Sequence, residues 1–202
     1  SFLKRARELC DQYDVVLIFD EVATGFGKTG NRFVSDLVLP DILVLGKALT
    51  AGYMGHAVTV ANKKIYYGFY DDDPSHALMH GPTFMANPLA CCVALKAIEI
   101  FERDKYMEKV KHLEEVAKEE MKGFCDDRIK EVRIMGDVVC IEVKDAKTLD
   151  GYQDFAYKKG VFARPFLNCL YSMPPMIIKD DELKKILKTM KEWFEKWQKI
   201  IS

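Results

Sequence analysis

Apolar residues fall into two patterns along this chain. In the first, short continuous runs stand between polar, glycine-bearing segments. Val15–Phe19 stops at Asp20, and Ile42–Leu45 stops at Gly46-Lys47. Runs of this length without alternation predict strands buried on both faces, as in a parallel sheet. The interval between them is long enough for the crossover that parallel neighbours require. HAVTVA (56–61) predicts another strand, Lys63–Tyr70 a short amphipathic piece, and Asp71–Ser75 a polar turn.

The second pattern is helical. Phe2, Leu3, Ala6, Leu9 and Cys10 give Ser1–Tyr13 a helical period. Asn87-Pro88 reads as a helix start, with Asn as cap and Pro in the first turn. The following LACCVALKAIEIFE predicts a fully packed helix. Tyr106–Met121 places Met107, Val110, Leu113, Ala117 and Met121 on one face, and Gly123 closes it. Strands follow at Lys130–Met135 and Val138–Val143, a helix at Leu149–Lys159, and strands at Val161–Arg164 and Leu170–Met173. A terminal helix starts at Asp180, with Leu183, Ile186, Leu187, Met190, Trp193, Phe194 and Trp197 as its core face. The order predicts an α/β portion over 1–92, then linking helices and a small α+β domain over 93–202.

Composition narrows the function classes. Thirty Lys and Arg against 31 Asp and Glu leave a net charge of -1, so electrostatics gives no reason to expect a nucleic-acid or anionic-membrane partner. No apolar run approaches the length of a membrane span, and no signal peptide is visible. Six cysteines without C-x-x-C spacing read as reduced, mostly core thiols of a cytoplasmic protein.

Both strand ends carry reactive groups. Ligands of open α/β sheets gather at the carboxyl ends of strands, which would bring the Asp20 carboxylate and the Lys47 amine to one edge. Pyridoxal phosphate uses such a pair: a lysine for its Schiff base and an acid to keep its pyridine nitrogen protonated. A structural ion pair, or two unrelated surface charges, satisfies the spacing equally. ATGFGKTG is not a nucleotide loop, because the P-loop pattern needs a glycine where Val22 stands. His76 and His80 lack the acidic partner of a metal-binding helix, and Gly81-Pro82 opposes a helix there.

The segments DEVATGFGKTG, PDILVLGKALTAGY and HGPTFMANPLACCVAL closely resemble the class III, fold type I, PLP-dependent aminotransferases. The resemblance covers nearly the whole chain and extends to RPFLNCLYSMPP near its end. It implies that Lys47 is the Schiff-base lysine and acid/base, that Asp20 holds the pyridine nitrogen, and that Val22 packs on the ring face. It implies that Pro82 and Thr83 reach the phosphate of a neighbouring subunit's cofactor, hence a homodimer. Gly81, Arg164 and Tyr171 become substrate contacts, with Arg164 suited to a distant carboxylate on a small-molecule substrate.

The resemblance begins well inside the longer family members. The chain is therefore expected to be the C-terminal part of the large domain plus the small domain. The family's phosphate loop and ring-stacking aromatic lie upstream of the matched region. Two departures stand out: Lys28 where the family commonly has arginine, and Gly136-Asp137-Val138-Val139 in place of a glycine-richer turn. A non-catalytic assembly module is the competing reading, and absorbance of bound PLP separates the two.

Overall fold

The computed structural model describes the backbone of residues 2–201 and the side chains through Glu195. The chain forms two compact units, one of residues 1–27 and 31–105, the other of residues 28–30 and 106–202. The expected division at 92/93 falls inside a helix that stays whole within the first unit.

In the first unit, helix α1 (Phe2–Gln12) leads into β1 (Ile18–Asp20). β1 pairs in parallel with β2 (Ile42–Leu45), placing Asp20 beside Val44. β3 (Val58–Ala61) runs antiparallel on the other side of β2. The parallel pairing agrees with the apolar runs, but burial on both faces does not hold. β1 is an outer strand with Ile18 55% exposed, and only Leu45 of β2 is fully buried. The turn at Lys63–Tyr67 forms α2, capped by the Asn62 side chain.

Asn87 caps α3 (Pro88–Arg103) by accepting from the Leu89 amide, as its sequence predicts. Full packing of α3 is not observed: it buries Ala90 and Ala94 and leaves Leu89 and Leu95 exposed. Small residues let α3 approach the strand-end turn closely, and Ala94 joins Phe26 and Leu49 in this unit's buried cluster.

The second unit holds the larger core. β4 (Ile129–Met135), β5 (Val138–Val143) and β6 (Cys169–Ser172) form an antiparallel sheet. Strict alternation along β5 buries Val139, Ile141 and Val143 on one face. That face packs against α4 (Tyr106–Glu120), α5 (Tyr152–Lys158) and α6 (Asp180–Ile201). α6 contributes Leu183, Leu187, Met190 and Phe194, the spacing of one helical face. Trp197 lies outside the described side chains.

Two predicted elements change. The helix expected from Leu149 starts at Tyr152, because Asp145 caps a short 3-10 turn at Ala146–Leu149 and Gly151 takes φ 83°. Val161–Arg164 is not a strand. The Val161 amide closes α5 by donating to Ala156 O, and Pro165 brings no N–H to a ladder. The six thiols are free, as expected, but none is fully buried, and Cys92 and Cys125 are exposed. Among the described residues no helix is long and apolar enough to cross a membrane, and no cluster of His, Cys, Asp and Glu suits a metal ion.

Candidate active site

The first group of reactive residues lies where β1 and β2 end. Asp20 is the last residue of β1, and the Glu21 amide continues the pairing by donating to Val44 O at 2.9 Å. Lys47 opens a 3-10 turn (Lys47–Thr50) directly after extended Gly46. Its φ of 45° is a left-handed conformation that non-glycine residues rarely adopt. Such strain persists only where the surroundings fix it. Here Leu49 N donates to Gly46 O at 3.0 Å, and buried Thr50 donates from Oγ1 to Met54 O at 2.5 Å.

Val22 belongs to the same corner. A Cβ placed on Gly46 would lie 3.3 Å from Val22 Cγ1, so glycine lets the β2 end pass close beside Val22. The structure thus gathers Asp20, Val22 and Lys47 at one sheet end. It also removes the structural ion pair as an explanation. Lys47 is exposed and, among the described residues, has no ion-pair partner. Asp20 Oδ1 accepts the Val22 amide at 3.1 Å, and Oδ2 is left without a partner among them.

Glu21, which sequence reading passed over, holds this corner. It is 2% exposed, and its carboxylate accepts the Val34 and Ser35 amides at 2.7 and 2.9 Å. These bonds close the neck of the glycine-bearing loop. The only signal in the sequence is a second acid directly after Asp20.

Gly81, Pro82 and Thr83 sit in an exposed turn before α3, where the Met85 amide donates to Pro82 O at 3.0 Å. Among the described residues no hydrogen bond joins this turn to Asp20 or Lys47.

Arg164 and Tyr171 are brought together in the second unit. They line a cavity of about 300 Å³ with Phe162, Met173, Pro174 and Ile186. Arg164 is exposed and has no ion-pair partner among the described residues. A guanidinium with no ion-pair partner among the described residues, in a mostly apolar hollow that Tyr171 and Ser172 also line, suits a carboxylate on an aliphatic chain. A larger hollow of about 460 Å³ beside α4 and α6 holds none of the predicted groups. Its His112 is engaged by Asp180 at 2.9 Å. Cys140 is a poor nucleophile, since burial and neighbouring Cys169 push its thiol up to about 11.

Residues 1–194 match the family described as Aminotransferase class-III. The chain belongs to that family. Among curated proteins it is similar to an adenosylmethionine-8-amino-7-oxononanoate aminotransferase of Corynebacterium glutamicum, 39% identical over 192 residues, covering 92% of this chain and 45% of the relative. The enzyme of the same description from Saccharomyces cerevisiae is 36% identical over 230 residues, covering 100% and 48%. The crystal structure of a Methanocaldococcus jannaschii enzyme so described superposes with a TM-score of 0.82 at 32% identity, covering 94% of this chain and 48% of that one. The fold is that of the fold type I aminotransferases. The chain spans about half the length of the curated relatives it matches.

Proposed function

We propose that this chain contributes to transfer of an amino group from S-adenosylmethionine to 8-amino-7-oxononanoate, giving 7,8-diaminononanoate in biotin biosynthesis, with pyridoxal 5'-phosphate as carrier. One observation carries the reading: where two parallel neighbouring strands end stand a lysine amine and a carboxylate oxygen with no partner among the described residues, and the Val22 side chain lies beside Gly46. These residues fit the cofactor, because a lysine engaged by Asp20 would be unavailable for attachment. Bound there, pyridoxal phosphate supplies an electron-withdrawing ring and the carbon that carries the amino group.

In this reading Lys47 Nζ would hold the cofactor and would be the group that takes up and returns a proton at the site. A positioned acid/base group of this kind contributes about 10²–10⁴-fold. Asp20 Oδ2 keeps the ring nitrogen protonated, and Val22 bounds the ring face. Thr83 and Pro82 serve the phosphate across a homodimer interface, with Gly81 beside the substrate. Arg164 binds the acceptor's carboxylate, and Tyr171 lines the same cavity. Residues 1–27 and 31–105 act as the cofactor-binding part and residues 28–30 with 106–202 as the small domain, in a cytoplasmic enzyme.

Borohydride reduction of the cofactor-loaded protein followed by peptide mapping tests the assignment. The label is expected on Lys47, and finding it on Lys28 or Lys63 refutes it. A donor screen separates S-adenosylmethionine from the donors of other class III ω-aminotransferases.

A further inference from the structure

Lys28 and the Gly136-Asp137 turn, distant in sequence, meet in space. Lys28 Nζ donates to Asp137 Oδ2 at 2.5 Å and to Pro174 O at 2.7 Å. The Asp137 side chain is 0% exposed and that of Lys28 16%. The backbones are as close as the side chains. Gly136 has φ 59°, and a Cβ there would lie 2.5 Å from Lys28 O and overlap Gly30 N. Residues 28–30 therefore pack backbone against backbone on the 136–137 turn, and the lysine reaches from there to Pro174.

A buried ion pair is a poor source of stability, because desolvation offsets the attraction. This pair is a costly example. Asp137 Oδ1 is buried with no hydrogen-bond partner. Burial pushes the Asp137 carboxyl above its ordinary value despite the adjacent ammonium. What the pair supplies is position. β6 ends at Ser172, so no ladder holds the Met173-Pro174-Pro175 stretch that walls the Arg164–Tyr171 cavity. Lys28 grips that stretch at Pro174 O, and the next bond is Ile178 N to Pro175 O at 2.9 Å.

We propose that Lys28, held by Asp137, is a positioning residue for the acceptor cavity: it fixes Pro174 and with it the wall shared with Arg164 and Tyr171. This deepens the function proposed above and rests on reading that cavity as a carboxylate pocket.

The test uses the full chain and nonanoate, a linear monocarboxylate, as probe. In the double variant Lys28→Met, Asp137→Leu both charges leave together, so its urea midpoint should equal or exceed that of the parent. Nonanoate should nevertheless bind about tenfold more weakly, and the Ile178 amide, which donates to Pro175 O, should exchange faster. Lys28→Arg alone, which keeps a cation opposite Asp137, should keep both properties of the parent. A folded double variant with parental affinity and parental exchange overturns the proposal. Arg164→Ala tests the underlying reading separately. If it binds nonanoate as the parent does, or neither binds, the cavity is not a carboxylate pocket. The exchange result then decides alone: faster exchange upholds Lys28 as the holder of this wall, and unchanged exchange overturns it.

Discussion

At the scale of single residues, two side chains with similar credentials in the sequence do different work. Asp20 offers one carboxylate oxygen outward, whereas adjacent Glu21 spends both oxygens on the Val34 and Ser35 amides. Hydrogen bonds to a charged partner contribute about 1.5–3 kcal/mol each, and orphaning buried donors costs a comparable amount. Glu21→Ala should therefore lower stability by roughly 2–3 kcal/mol, read as a lower urea midpoint for the first unit. A variant matching the parent would show that the loop closes without it. Arg164→Ala belongs to the same scale. In the full-length enzyme, losing a charge-assisted pair should weaken the oxo-acid half-reaction by at most a few kcal/mol, with the donor half-reaction affected far less. Equal damage to both halves would assign Arg164 to folding or to the cofactor. Asp20 and Lys47 were legible because each ends an apolar run. Glu21 was not, because its partners lie thirteen and fourteen residues ahead, across a loop whose path no local pattern encodes.

At the scale of elements, periodicity located β2, β5, α3 and α6 well, since each has one face or edge fixed by burial. It failed at Val161–Arg164, where residues of strand-like composition have no neighbouring strand to pair with. Sheet pairing also gives the second unit an acid-sensitive contact. On the face of β5 opposite the core, Glu142 receives the Lys130 ammonium at 2.6 Å and the Arg133 guanidinium at 2.5 Å. These bonds, Lys130 first, hold its carboxyl down at about 2. A depressed carboxyl contributes stability that is complete above its unfolded value, near pH 4.3. The contribution is lost as pH falls through the folded value. The stability difference between the parent and Glu142→Gln should accordingly shrink between about pH 4.5 and pH 2. A difference independent of pH in that window would mean that these contacts do not persist in solution.

At the scale of the whole molecule, chain order and spatial order disagree at one place. Residues 28–30 belong to the second unit although every residue around them in sequence belongs to the first. Neither Lys28 nor the Gly136-Asp137 turn announced this, since a contact spanning 109 residues leaves no local trace. The disagreement governs how the chain can be dissected. A gene cut after Lys105 yields residues 106–202 with the sheet and helices of that unit but without the ammonium that faces Asp137. Leaving a buried charge unpaired costs about 3–5 kcal/mol, a large share of what a domain this size possesses. The excised piece should be poorly folded by circular dichroism and urea titration. Asp137→Leu within it should recover folding, although the same change in the full chain would strand Lys28. Excision without loss would show that the tripeptide is a passenger. Otherwise this unit is a discontinuous domain with a three-residue insert from upstream, and no single cut separates it intact.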